Sequence, residues 1–225
     1  MANNKKDVHT SIDELNETLT SVEQHVENNK KIIIWSLAGI VAVAAVILLY
    51  YYGIYAPNKK ASSDAISKAD IELAMGNDST ALAQYMQVAD EFSGAQADRA
   101  ALQSAIILYQ KGKFEEAVKY LDDASFDENL VAPAAASLKG DCYVNLNNLD
   151  KAISCYDKAI KSSNDNALYT PLFMLKKATV LNEQSKIADA LAIYEAIQSK
   201  YPTFTRAYDV NIDGLIARAK AQLAE

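Results

Sequence analysis

The chain has 225 residues, a formal net charge of −7, and only 7 glycines and 4 prolines. The acidic balance argues against nucleic acid or an anionic lipid surface as the main partner. Few turn residues and alanine-rich windows disfavour long strand-and-turn architectures and predict an all-α fold. Two cysteines are too few for a disulfide scaffold.

Residues 1–31 form an acidic tail whose aliphatic residues recur at heptad spacing, which predicts a short amphipathic helix. Ser11 and Glu14 can form a capping box at its start. A lone helix would leave its aliphatic seam in water, so we predict pairing, either in a homodimer or with a partner's helix. A helix on the membrane surface or a frayed tail is the alternative. The predicted interface consists of Ile12, Leu15, Leu19, Val22 and Val26.

An apolar run without any charge covers residues 32–55. As a helix, residues 32–52 would span roughly 31 Å, close to the hydrocarbon thickness of a bilayer. Trp35 lies near one end and a group of tyrosines near the other, as aromatic rings do at headgroup depth. The run is too long for a removable signal peptide, so we predict a transmembrane anchor. Lysines flank it almost equally, and charge alone leaves its orientation open.

Residues 56–225 repeat a pattern of helix pairs. Ala81, Ala117, Ala152 and Ala190 each follow a turn-forming segment, and a bulky residue stands four positions after each of them. Small residues at fixed places let two antiparallel helices approach closely, and we expect Gly140 to face Ala152. The predicted units are residues 62–93, 98–131, 133–166 and 171–204, the first with a weak first helix. An unrelated helical bundle with chance periodicity is the alternative.

The last segment, residues 206–224, predicts a capping helix for this stack. Its apolar residues fall on one stripe of an amphipathic helix. The final unit of a solenoid exposes a face that needs covering. The stripe consists of Ile212, Leu215, Ile216, Ala219 and Leu223.

The sequence offers no constellation for catalysis, and we expect no enzyme, no cofactor and no metal site. His9 and His25 are its only histidines, both in the tail and off any metal-ligand spacing. The repeat segment has no glycine-rich phosphate loop, nucleophile elbow or histidine-based triad. Cys142 and Cys155 fit free buried thiols, although the sequence cannot exclude a bond between them.

At the repeating residues the segment resembles the tetratricopeptide repeat family, whose unit is a pair of helices. Residues 133–166 match best, and Tyr201-Pro202 stands where the family usually has proline. The resemblance implies an α-solenoid whose first helices line a protein-binding groove, here largely apolar and without a basic clamp for acidic tails. The implied lining residues are Arg99, Leu102, Ile106, Tyr109, Ala134, Ser137, Asp141, Val144, Leu172, Leu175, Thr179 and Asn182.

The whole layout resembles the bacterial ancillary Sec-translocon subunits: an acidic tail, one span, Ala56-Pro57 and a single repeat stack. The resemblance implies a single-pass inner-membrane protein with a cytoplasmic tail and a periplasmic repeat domain. It further implies a chaperone-like role beside the Sec channel, with a membrane-anchored folding factor as partner. Two alternatives remain, an envelope scaffold without client binding and a docking receptor that faces the cytosol.

Overall fold

The structure is a computed structural model that describes Thr20, Glu27, residues 29–126 and residues 131–224. The chain divides into two compact units, with the boundary between Lys59 and Lys60. The predicted interface of the tail, Ile12 to Val26, lies outside the described residues, as do both histidines.

The first described helix, α1, covers Lys30–Tyr50 and continues into one π-helical turn over Tyr51–Tyr55. None of its side chains is buried, and its large apolar residues range from 43% exposed at Ile33 to 77% at Trp35. By length and composition, this is the one helix in the described part of the chain that could cross a membrane.

Pro57 does not end the helix at the predicted boundary after Tyr55. The helical residues run without a break to Ala74. Proline lacks an N–H and clashes with the carbonyl four residues before it in a regular α-helix. The π-helical turn precedes it, with the Ala56 N–H donating to the Tyr51 carbonyl five residues back. Such a local change of winding accommodates a proline without stopping the helix.

Ten helices follow in the described residues, eight of them forming four antiparallel pairs and two completing the carboxyl end. They are α2 (Ala56–Ala74), α3 (Asp78–Glu91), α4 (Ala95–Gln110), α5 (Phe114–Asp123), α6 (Val131–Asn145), α7 (Leu149–Ser162), α8 (Tyr169–Glu183), α9 (Ile187–Lys200), α10 (Pro202–Ala207) and α11 (Ile212–Gln222). From α3 to α9 each helix packs on the next, and α11 packs on α9. The arrangement is an α-solenoid.

The same turn joins the two helices of every pair. Gly76, Gly112, Asn147 and Ser185 occupy it, with φ between 55° and 79°. In each turn the following N–H donates to a carbonyl five residues earlier, for example Asn148 to Tyr143 at 2.8 Å. This left-handed residue and its hydrogen bonds form a Schellman-type helix end, which reverses the chain at once.

The repeating alanines form the centre of the stack. Ala81, Ala117, Ala152 and Ala190 are all 0% exposed. The bulky residues one turn later are buried as well, with Tyr85 at 0% and Leu121, the most exposed of them, at 7%. Small residues on the second helices therefore allow close approach, and the larger ones fill the space between pairs.

The side chain nearest to Gly140 is that of Tyr156, one turn after the predicted partner Ala152. A Cβ on Gly140 would lie 2.6 Å from Cε1 of Tyr156, the next inward residue of α7. The two helices of this pair therefore approach closely where a glycine lies against an aromatic ring. The ring needs the space because its hydroxyl reaches across to α6.

The first and last segments also differ from their predictions. The first helix of the first pair is not weak: α2 is 19 residues long and buries Ser62, Ile66 and Ala69. The cap consists of two helices, because the helical conformation is interrupted at Asp209, whose φ is 50°. Ile212, Ile216 and Ala219 pack into the core around Phe204, but Leu223 lies outside the packed stripe and is 51% exposed.

Candidate protein-binding surface

The first helices α4, α6 and α8 carry the residues predicted to line a groove, which we call the first-helix surface. Leu102, Ile106 and Tyr109 lie half-buried on α4. Leu102 and Tyr109 pack against the core cluster around Leu108 and Cys142. Ile106 belongs to no buried cluster in the described residues, and its side chain is partly exposed.

The corresponding apolar residues of α6 and α8 are also half-buried. Val144 packs against the cluster around Ala152 and Val180. Leu172 and Leu175 pack against the cluster around Tyr194. These side chains therefore support the core with one edge and leave the other edge accessible.

Ser137 departs from its prediction, because it is only 3% exposed. Its Oγ accepts a hydrogen bond from Nζ of Lys176 at 3.1 Å. Lys176 reaches from α8 to α6 and covers the serine. Ser137 is therefore a buried support of this surface and not part of its lining.

Asp141 is the centre of a hydrogen-bonded network between three helices. Its Oδ1 accepts from the Tyr156 hydroxyl at 2.8 Å, and its Oδ2 accepts from Nζ of Lys176 at 2.6 Å. Burial, together with the negative charge of Asp141, raises the pKa of Tyr156. The network ties α6 to its own second helix and to the first helix of the next pair.

The first pair repeats this network. Asp70 Oδ1 accepts from the Tyr85 hydroxyl at 2.6 Å, and its Oδ2 accepts from Nη2 of Arg99 at 2.7 Å. Burial raises the pKa of Tyr85, with a further contribution from Asp70. Arg99, which is predicted to line the groove, is therefore held in an ion pair.

Sequence reasoning missed Asp70, Tyr85 and Lys176 as members of these two networks. The available signal was spacing, because in both networks the aspartate precedes its tyrosine by 15 residues. The prediction of a largely apolar groove with few charges is therefore too simple. Two ion-paired networks flank the apolar residues of α4.

The last predicted lining residues lie near the carboxyl end of α8. Thr179 is exposed, and its Oγ1 donates to the Leu175 carbonyl at 3.0 Å. Oδ1 of Asn182 is buried and has no hydrogen-bond partner within the described residues.

The two cysteines are free and buried. Burial raises the pKa of the Cys142 thiol to about 12 and raises the pKa of Cys155 as well. Thiols with raised pKa values are poor nucleophiles. In the described part of the chain, no group of three or more His, Cys, Asp or Glu side chains could hold a metal ion.

Stacked helix pairs with a surface of half-exposed side chains define this protein as an α-solenoid. A family model described as a tetratricopeptide repeat-like domain matches residues 54–177, and one described as a tetratricopeptide repeat matches residues 173–203. The chain belongs to the tetratricopeptide repeat family and is a protein–protein interaction module. No curated protein matches the chain.

Solved structures share the fold. A crystal structure of MamA is 18% identical, with a TM-score of 0.56, covering 69% of this chain and 84% of MamA. The carboxyl-terminal part of a TPR repeat-containing protein from Cytophaga hutchinsonii is 19% identical, with a TM-score of 0.52. That match covers 70% of this chain and 58% of the other. At such identities the likeness concerns the fold alone.

Proposed function

We propose that this protein is a membrane-anchored, chaperone-like accessory subunit of the Sec translocon that binds exported polypeptides through its first-helix surface. The observation that carries the proposal is the exposure of every large apolar side chain of α1. Exposing apolar surface to water costs about 25 cal/mol of free energy per Å², so the interior of a lipid bilayer is a much more favourable environment for these side chains. The link to the Sec translocon rests on the resemblance in overall layout.

The partner chemistry follows from the first-helix surface. Ile106 is half-buried, belongs to no core cluster in the described residues, and lies on α4 between Leu102 and Tyr109. An extended or unfolded polypeptide can bury its own apolar side chains against such a strip. Arg99 and Lys176 of the surface are already paired with aspartates, so neither is free to bind an acidic tail.

The proposed topology places residues 1–31 in the cytoplasm and residues 56–225 in the periplasm, with the anchor in the inner membrane. A reporter that is active only after export, fused after Glu225, should be active. A reporter active only in the cytoplasm should be silent at the same position. The opposite result would favour a docking receptor that faces the cytosol.

Client binding is tested with the full-length protein in a mild detergent. It should suppress the aggregation of an unfolded model protein, and Ile106→Asp should weaken client binding at least about tenfold, because an apolar chain would have to desolvate the new carboxylate. Leu223→Asp, which changes an exposed residue of the cap, is the matched control and should behave like the parent.

Helical content must be the same in all three proteins. Equal suppression by parent and Ile106→Asp would remove the first-helix surface from the mechanism. Absence of suppression by the parent would favour the envelope scaffold, which assembles partners without holding clients. We also propose that the protein has no catalytic activity of its own.

A further inference from the structure

An ion pair recurs at one place in the repeat stack. Three second helices carry an acidic residue five positions after the buried alanine, and each acid pairs with a lysine of the helix that packs on it next. The pairs are Asp122 with Lys139, Asp157 with Lys177 at 2.6 Å, and Glu195 with Lys220 at 2.8 Å. They join α5 to α6, α7 to α8, and α9 to α11.

Lys68 on α2 occupies the place of Lys139 and Lys177. Each of these lysines directly precedes a buried small residue of its first helix: Ala69, Gly140 and Ala178. In the second pair Ser104 replaces the lysine, and Met86 replaces the acid on the preceding helix. Lysine and acid are thus present together or absent together, except at Lys68, which is exposed and has no ion pair in the described residues.

Ile71, three residues after Lys68, shows the same exception. The residues at its place in the next three pairs are Ile107, Cys142 and Val180, which are 2%, 0% and 3% exposed. Ile71 is 59% exposed, and Met75, one turn later, is 69% exposed. The later residues are covered by the second helix of the preceding pair. Within the described residues, no second helix precedes α2.

We propose that Lys68, Ile71 and Met75, which we call the α2 face, accept an amphipathic helix of a partner protein. By charge complementarity this helix presents a carboxylate to Lys68 and apolar side chains to Ile71 and Met75, as α5 and α7 do for the helices after them. A second copy of this chain is a poor occupant. Its acidic second helices, α5, α7 and α9, already have their carboxylates paired within the stack.

The test uses the full-length protein in detergent micelles and a fluorescent peptide of residues 147–164, which contains α7 and Asp157. In the peptide, Cys155→Ser prevents oxidation of the thiol. Ser154→Glu supplies a carboxylate that forms a lactam with the amine of Lys158 and so stabilises the helix. Both lactam positions are exposed in the intact protein. Fluorescence anisotropy should show saturable binding.

Lys68→Glu should weaken peptide binding by at least about fivefold, because it turns a partly exposed ion pair into a pair of like charges. Ile71→Asp should weaken it at least as much. A peptide with Asp157→Lys should recover binding to the Lys68→Glu protein. That recovery identifies the ion pair, which a general loss of affinity does not.

Two variants separate the α2 face from the remaining surface of the repeat stack. Lys161→Glu in the full-length protein changes an exposed lysine of α7 and should leave peptide binding unchanged. Ile106→Asp, which disables the first-helix surface, should leave it unchanged as well, so this test and the client test can fail independently. Circular dichroism checks that each variant is folded.

Absence of saturable binding by the parent overturns the proposal, as does equal weakening by Lys161→Glu. Sedimentation analysis addresses the other occupant. If the parent is a dimer in micelles and Ile71→Asp makes it a monomer, the α2 face binds a second copy and the proposal of a separate partner is wrong.

Discussion

At the carboxyl end of the repeat stack α11 covers α9, whereas at the amino end α2 presents a comparable face that no second helix covers in the described residues. Ile216 of α11 is 8% exposed, and Ile71 of α2 is 59% exposed. Lys220 is paired with Glu195, and no acid in the described part of the chain stands in front of Lys68 in the same way. The difference teaches that the exposure of apolar side chains at an end of the stack depends on whether another helix packs there. It does not depend on the composition of the terminal helix alone.

The largest expected change in stability distinguishes the carboxyl end of the stack from its amino end. Ile216→Asp places a carboxylate in the cluster around Phe204 and should destabilise the protein by about 3–5 kcal/mol. At roughly 2–4 °C per kcal/mol, its melting temperature should fall by about 10 °C. Ile71→Asp changes an exposed side chain and should stay within about 0.5 kcal/mol of the parent.

Thermal unfolding of full-length protein in detergent, followed by circular dichroism, measures both variants. A similar loss in the two would mean that the α2 face is covered in the intact protein. The comparison between the ends would then be wrong.

A smaller effect tests the packing between the two ends. Gly140→Ala puts a Cβ 2.6 Å from the Tyr156 ring, which is held by its hydrogen bond to Asp141. The ring cannot move away without losing that bond, so we expect a cost of about 1–3 kcal/mol. Gly39→Ala is the control, because its Cβ would meet nothing within 4 Å. If Gly140→Ala melts like the parent, the close approach of α6 and α7 is not needed.

The smallest effect concerns the link into the capped end and depends on pH. Nζ of Lys200 donates to Asp165 at 2.7 Å, and the Tyr201 hydroxyl donates to the same carboxylate. These hydrogen bonds lower the pKa of Asp165 below its ordinary value of 3.8. A lowered pKa in the folded state contributes stability above the unfolded value, and that stability is lost as the pH falls through the folded value.

Asp165→Asn should therefore lower the melting temperature slightly at pH 7, and the difference from the parent should vanish at a pH below that folded value. Asparagine suits the site because the residue has a φ of 59°. Melting curves across this pH range measure the effect. A difference that persists at the lowest pH would show that the hydrogen bonds to Asp165 are not its cause.

The first-helix surface shows where sequence patterns stop being informative. The positions of Leu102, Ile106 and Leu175 are those that the resemblance to the repeat family implies, and each lies a fixed distance from a buried alanine of its own helix. The helical period does not tell whether a polar residue at such a position is exposed, or whether it has a hydrogen-bond or ion-pair partner. Ser137 is buried, and Arg99 and Asp141 are paired, because charged residues and tyrosines on neighbouring helices reach them.

The sequence by itself determined the helical class, the repeating pairs, the apolar helix near the amino end and the stripe that covers the last pair. These depend on local period, small residues and turn chemistry, which act within about 40 residues of chain. Only the tertiary structure decided that Gly140 meets Tyr156, that the two aspartate networks bridge successive pairs, and that Lys68 and Ile71 stay exposed. Those outcomes depend on side chains that meet across different helices, and no pattern within one helix specifies its neighbour.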